Sequence, residues 1–513
     1  MPIGSRLTRI GLGVIIGTTT YAFTTIPTRI PTMTSTALAS TSTSTSTSTS
    51  KPSYFTEGPL PSLPLPPVLT STTPGTWAYD TMSRRIDSEI LQRTLDENEI
   101  EFNTPEFAVA KSKFEGLRSE LQSAGATKLR YLTPYTNGKE TREFEEWTEI
   151  LAPYLEGEVD TWLTAPWMMA EFYVYRRLLE ALGYFDDGNG SNPATIGYDP
   201  FLHQKTAGLV SSVAMAAPIL TQMTPYLTKG TTTDIKEGLG LASAFALWGN
   251  KMDLSIWPAD TIVTPAMFAE VLASANDNLL HDDTAALTTY LQELVDTRSK
   301  SKKNYGPGGN SGNTKIRVDI IVDNAGFELI MDLVLADYLI SSGIADTVRF
   351  QLKAHPTFVS DAMESDLRQH VTHYATNTHD DAVISEAGNR WQSHLDTGKW
   401  ECHQNNFWVQ PPPMWNMPLP LRNELSQNCD LAFVKGDANY RRLLGDLEWN
   451  MSDPFQQVVG DYFPCPVCAL RTLKAEVGCG MREELVVRAK GLDENWSTNG
   501  RFGVVHFSRG HGL

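Results

Sequence analysis

The sequence predicts an α/β protein in which a mainly parallel sheet is covered by helices and preceded by an N-terminal all-helical domain. Three observations predict it. Between about Ala78 and Phe185, apolar residues recur at three- and four-residue intervals with few strand-like runs, the pattern of amphipathic helices. From about Lys315 the pattern changes to strand, loop and helix in succession, as in a parallel sheet with crossover helices. The segment IIVDNAGFE, Ile320 to Glu328, shows the change most clearly. Its β-branched run stops at Asp323 and Asn324, a small turn of Ala325 and Gly326 follows, and the amphipathic run ELIMDLVLADYLI begins.

Residues 1–56 read as a disordered Ser/Thr-rich tail with four basic residues (Arg6, Arg9, Arg29, Lys51) and no Asp or Glu. Ser and Thr alternate from Ser40 to Ser50, leaving nothing to bury. The apolar stretch Ile10 to Gly17 is too short to span a bilayer. With Arg6 and Arg9 before it, it has some look of a targeting segment, and Met33 offers a start beyond it. The expectation is a cytoplasmic protein, with mitochondrial import through the tail as the alternative.

A Pro-rich lead-in to Pro67 opens the helical domain, 57–235. Its helices are read in AYDTMSRRIDSEILQRTLDENEIEF, FAVAKSKFEGLRSELQS, REFEEWTEILAPYLE and WMMAEFYVYRRLLEALGYF. The α/β domain, 236–513, opens with the helix LGLASAFALWGN, which ends near Asn250. Ser299 to Asn313, rich in Gly, Asn and Lys, is expected to be a mobile loop. Strands are expected in KIRVDIIV, TVRFQLKA, LAFVKGD, CALRTLK and RFGVVHF.

The formal charge is −18, and beyond residue 56 the chain carries 38 basic against 60 acidic residues. So acidic a body argues against nucleic acid as a partner, because phosphate backbones need a basic surface. Stable membrane association is not expected either. A small anionic substrate remains compatible where a few cations converge. The five cysteines all lie in the last quarter, an odd count that argues against a disulfide framework. CPVC, Cys465 to Cys468, has no second CxxC or HxxxH to complete a zinc site, so buried thiols are expected there.

Four expected strands end in polar residues: Asp323 and Asn324; Asp361 in VSDAMESD; VKGDANYRR, Lys435 to Arg442; and Arg471 with Lys474 in LRTLK. A parallel sheet places such ends on one edge, where open α/β folds bind ligands. Asp323, Asn324 and Asp361 are hard oxygen donors suited to Mg²⁺ or Mn²⁺. Lys435, Arg441, Arg471 and Lys474 can neutralise a phosphate brought to that ion. Each alone reads equally as a turn, a cap or a surface charge. LWGNKMDLS offers Asn250 and Asp253 after a Gly-centred helix end. Trp167, Glu171, Tyr175 and Arg176 share one helical face, either a solvated pair or the wall of a sugar pocket.

VDNAGFELIMDLVLADYL, PTFVSD, VKGDANYRRLLGD and RTLK, in that order, resemble the metal-dependent damage-control phosphatases. They match more closely that family's third subfamily, marked by an Arg-Thr-x-Lys motif matched by Arg471, Thr472 and Lys474. It extends from about Trp77 to Phe507 and takes in TWAYDTMSRR, DPFLHQK with Asp199, Phe201 and Lys205, and LWGNKMDLS. The resemblance implies a helical domain packed on a Rossmann-like α/β domain. It implies metal ligands at Asp323, Asn324 and Asp361. Substrate contacts would fall on Asp323, Asn324, Glu328, Asp437, Ala438, Asn439, Tyr440, Arg441 and Lys474, with Asp323, Asp361, Asp437 and Lys474 catalytic. The implied cofactor is Mn²⁺, Ni²⁺ or Co²⁺, or Mg²⁺. The implied reaction removes phosphate from small phosphorylated metabolites, including hexose phosphates such as fructose 1-phosphate and fructose 6-phosphate. The nucleophile is left open between water and a strand-end Asp, and Asp361 or Glu328 are candidates for acid or base. Members of this subfamily are also described as S-adenosylmethionine-dependent methyltransferases acting on protein glutamate, which is the alternative. No strand here is followed by a GxG-type loop that commonly holds that cofactor. A non-catalytic scaffold would have shed these ligands, yet all are present.

Overall fold

A computed structural model describes residues 53–510, apart from 57, 136–140, 188–190, 228–234, 253–269, 271, 306–314 and 378–381. Most of the expected tail, Asp253 and the Gly-rich part of the expected loop therefore lie outside the described residues.

Seven strands form one sheet: β1 (Leu279–Asp282), β2 (Arg317–Ile321), β3 (Thr347–Lys353), β4 (Trp400–Asn405), β5 (Leu431–Lys435), β6 (Val467–Thr472) and β7 (Gly503–Ser508). Their order is β1-β7-β6-β5-β2-β3-β4. Every neighbouring pair is parallel except β6 with β7. The chain runs from β2 outward to β3 and β4, then returns to lay β5 on the other side of β2. That reversal leaves a crevice between the carboxyl ends of β2 and β5, the topological switch point at which open sheets bind ligands.

β5 is buried at all five positions, as expected of a central parallel strand with helices on both faces. The sequence reading found neither β1, a four-residue strand, nor β4, whose Trp-Glu-Cys-His-Gln-Asn shows no apolar alternation. The helix Thr284–Tyr305 continues through Ser299, where a loop was expected. Lys and Ser are acceptable helix formers, and the Gly-rich signal begins only after Tyr305.

The helix Phe327–Ser341 is not amphipathic as expected: each residue from Phe327 to Ile340 is buried. It packs against the helix Ile235–Gly249, and two glycines allow the approach. A Cβ at Gly238 would lie 2.6 Å from Tyr338, and one at Gly249 would lie 2.9 Å from Met331. Its interior carboxylates are paired rather than solvated. Asp332 meets Lys435 at 2.7 Å, and Asp337 accepts from Arg390, Trp391 and Ser341.

The helix Leu202–Met223 joins this same core through Leu209, Val213, Ala216, Ile219 and Leu220. Among the described residues, the stretch Leu202–Tyr226 is the one long and apolar enough to cross a membrane, and half of it is buried in the protein. A second core gathers the helices Ala108–Gln122, Arg142–Leu155 and Trp167–Leu182 around Trp147, Trp162 and Tyr173. Val359 and Ala475, from the loops after β3 and β6, are buried in that second core. The helical region is thereby fastened to the loops that form the crevice.

Candidate active site

The turn after β2 and the loop after β3 are zipped together by main-chain bonds. Ala325 N donates to Ser360 O at 2.6 Å, Ala362 N donates to Asp323 O at 2.8 Å, and Asn324 and Asp361 form an antiparallel bridge. Gly326, at φ +75°, turns the chain into the following helix and donates its N–H to His370 Nε2 at 2.8 Å. His370 Nδ1 therefore carries the proton and donates to Asp366 O at 2.7 Å. The strand ends are in this way set by backbone geometry before any ligand arrives.

The loop after β3 is strained. Phe358 and Val359 hold φ of +45° and +68°, a region that costs a non-glycine residue on the order of 1–3 kcal/mol. Packing compensates: Phe358 lies edge-on to Phe172 at 4.7 Å and against Tyr175 at 4.8 Å, while Val359 is buried. Asp361, two residues on, is thus positioned from the helical side as well as from the sheet.

His355, in the same loop, is buried edge-on to Phe185 at 5.4 Å, and Glu143 and Arg176 are the charges that face it. Burial holds its imidazole down at about 4, against about 6.5 in an unfolded chain. The unfolded state therefore binds a proton between those values and the folded state does not. Its contribution to stability is complete above about pH 6.5 and is lost as the pH falls toward 4, with a slope of up to about 1.4 kcal/mol per pH unit. Urea midpoints measured from pH 7 to pH 5 are expected to fall less steeply in His355→Phe than in the wild type.

Asp323, Asn324 and Asp361 are all buried and all line one cavity of about 500 Å³. Asp323 Oδ2 accepts from Asn324 Nδ2 at 2.9 Å and from Asn250 Nδ2 at 3.3 Å. Its Oδ1 is buried with no hydrogen-bond partner among the described residues. Burial, then Asp361 and Glu328, push the Asp323 carboxyl well above the usual carboxylate range, with Lys353 and Lys474 pulling the other way. Asn324 Oδ1 accepts from Ser360 at 2.7 Å, and Asp361 pairs with Lys353 at 2.8 Å. No group of three His, Cys, Asp or Glu side chains forms a metal cage among the described residues. The set is two carboxylates and an amide, with a bare carboxylate oxygen and excess negative charge. That donor chemistry fits a hard divalent cation completing its shell with water and substrate.

β5 approaches this pair through Gly436, at φ +83°, where a Cβ would lie 1.8 Å from Asp323 Oδ2. Only glycine allows both the left-handed turn and the contact. Asp437 follows, its Oδ1 accepting from Arg471 Nε at 2.8 Å and from Lys474 N at 3.0 Å. Asp437, Ala438, Arg441 and Lys474 line the cavity together with Asp323, Asn324 and Asp361.

Other expected site residues lie behind it. Glu328 accepts from Asn250 and Asn324, both at 2.8 Å, and from Lys435 at 3.2 Å. Asn439 donates to Val322 O and Lys435 O, and Tyr440 meets His506 Nδ1 at 3.2 Å. Lys435 and Arg471, read as phosphate cations, are fully buried. Lys435 is spent on Asp332, Glu328 and Ala246 O, and Arg471 on Asp437 and the carbonyls of Val477 and Ala475. Each sits within its strand, where side chains alternate between faces and need not point off the end. Arg441 lines the cavity but is already matched by Asp446 and Glu171.

Of the face Trp167, Glu171, Tyr175 and Arg176, the first three line the cavity, while Arg176 turns away to Glu143 at 2.6 Å. Asn250 supports Asp323 and Glu328, its Oδ1 accepting from Thr472 at 2.6 Å. Lys353, at the end of β3, was not among the expected site residues, yet it pairs with Asp361. The sequence reading also missed the outer wall: Trp77, Thr81, Arg84, Arg85, Asn495 and Asn499. Thr81, Arg84 and Arg85 of that wall lie on a π-helix, Thr81–Leu91, a rare form often found at functional sites.

Residues 81–487 match the damage-control phosphatase ARMT1-like domain. The chain is 33% identical over 470 residues to the damage-control phosphatase ARMT1 of Danio rerio, covering 89% of this chain and 99% of that protein. It is 31% identical over 458 residues to the Mus musculus protein of the same name and 29% identical over 458 residues to that of Homo sapiens. In both cases 86% of this chain and 98% of the relative are covered. The match spans the π-helix, the turns after β2 and β3 and the Arg471–Lys474 strand end, and the chain belongs to the damage-control phosphatase ARMT1-like family.

Proposed function

We propose that this phosphatase is divalent-metal-dependent and hydrolyses phosphomonoesters of small metabolites, hexose phosphates such as fructose 1-phosphate and fructose 6-phosphate foremost. The observation that carries the reading is the buried, unpartnered Oδ1 of Asp323 beside Asp361 at the β2–β5 switch point. Asp323, Asn324 and Asp361 would hold the ion, with Mn²⁺, Ni²⁺ or Co²⁺ preferred and Mg²⁺ tolerated. When bound, such a cation polarises a phosphoryl oxygen and offsets the charge of the transition state.

The chain's own groups supply the rest. Lys474 lines the cavity and is among the charges acting on Asp323, which supports a role in binding a phosphoryl oxygen. Asp437 holds the Lys474 main chain and Arg471 together, which supports the strand end from which the Lys474 side chain departs. Trp77 offers an aromatic wall to a sugar ring, and Asn495, Thr498 and Asn499 offer partners for hydroxyls.

Purified protein stripped of metal is to be assayed for phosphate release from fructose 1-phosphate with each of the four cations. Turnover restored by at least one of them is expected. No release with any of them would overturn the reading.

A further inference from the structure

Glu171 lines the cavity from the helix Trp167–Leu182, with its side chain 12% exposed. A chain of contacts ties it to the ligand turns: Gly436 lies against Asp323, Asp437 follows it, and Arg441 stands one helical turn later. Arg441 Nη1 donates to Glu171 Oε2 at 2.7 Å. That guanidinium is already matched, because Asp446 accepts from Nε at 2.8 Å and from Nη2 at 3.0 Å. Its face is covered by Trp167, 3.5 Å from the ring centre. Glu171 is therefore a second carboxylate on one cation, in a largely desolvated place, and a proton on it relieves the surplus charge.

The other carboxyl groups of the cavity have duties. Asp323 and Asp361 are the proposed ion ligands. Asp437 holds Arg471 and Lys474 N, and Glu89 pairs with Arg84 and Arg85.

We propose that Glu171 is the general acid of the hydrolysis, giving its proton to the leaving-group oxygen as the ester bond breaks. The proposal rests on the phosphatase reading above. Water adds to phosphorus, and the P–O ester bond breaks with its electron pair left on the substrate oxygen. Glu171 protonates that oxygen and frees the alcohol. The proton shed by the attacking water restores Glu171 through solvent, so ester and water become alcohol and phosphate. Burial pushes the Glu171 carboxyl up, as a general acid near neutral pH requires. The charged groups that face it are Arg441 and Asp446 from the β5 side and Arg85 from the π-helix.

The test compares phenyl phosphate with p-nitrophenyl phosphate, esters of similar shape, using metal-loaded wild type and Glu171→Gln. Phenolate is a poor leaving group and needs the proton; nitrophenolate departs without it. In Glu171→Gln, kcat/KM is expected to fall about 10²-fold for phenyl phosphate and by less than about 5-fold for p-nitrophenyl phosphate. The alkaline limb of the wild-type pH profile for phenyl phosphate is expected to disappear with it. Equal losses on both esters, or no loss on either, would overturn the assignment while leaving the phosphatase reading intact. A wild type that hydrolyses neither ester nor any sugar phosphate would remove both.

Discussion

Asp323→Asn is expected to lose turnover by a factor on the order of 10³ or more, the size of effect that follows from losing several kcal/mol of charge stabilisation. The same change is expected to raise the melting temperature in metal-free buffer by a few degrees. The first follows from the loss of a proposed ion ligand, and the second from the Asp323 carboxyl being held well above its usual range by burial and by Asp361 and Glu328. A carboxyl with a raised folded-state pKa stabilises the fold at low pH and loses that contribution as the pH rises through the folded value. At neutral pH its charge therefore opposes folding until a cation neutralises it. The amide keeps the bonds from Asn250 and Asn324 and removes the charge. Thermal melts with and without MnCl₂ check this: a metal-dependent rise is expected in the wild type and none in the variant.

Lys435→Met is expected to destabilise the fold by about 3–5 kcal/mol, the usual consequence of leaving buried charge without its partner. Lys435 is wholly buried, donating to Ala246 O at 2.6 Å and meeting Asp332 at 2.7 Å and Glu328 at 3.2 Å. Glu328 would keep its bonds from Asn250 and Asn324, whereas Asp332 would keep no paired cation among the described residues. The double variant Lys435→Met, Asp332→Leu is accordingly expected to recover a large part of the loss. Urea unfolding of the two single variants and the double gives the coupling between them. Additive losses would show that the pair does not act as a unit.

The strand-end residues were legible because turn chemistry is local. A β-branched run that stops at Asp323, Asn324 and Gly326 announces a strand, a turn and a helix whatever the rest of the chain does. The same logic reached Asp361, Asp437 and Lys474, which the structure brings to one cavity. What escaped depends on direction and on distance along the chain. Lys435 and Arg471 have the right charge at the right strand ends, but packing turns them inward. Lys353 was passed over, although it alone of the strand-final lysines pairs with a proposed ligand in the structure. The π-helix was read as ordinary helix, since the apolar spacing of TMSRRIDSEIL does not separate the two. Asn495 and Asn499 face the cavity from a segment with no motif at all. β4, at the sheet edge, gave no alternation to detect.

The zipped turns after β2 and β3 have a consequence for how such proteins diverge. Ala325–Ser360, Ala362–Asp323 and the Asn324–Asp361 bridge are main-chain contacts, so most side-chain drift leaves them untouched. The outer wall is built differently, from exposed and half-buried side chains such as Arg84, Arg85, Asn495 and Asn499. On the reading proposed above, substitutions at Asn495 and Asn499 would change which molecule is admitted without moving the zipped turns. A lineage built on this plan could change its substrate in a few steps while the strand-end turns stay as they are.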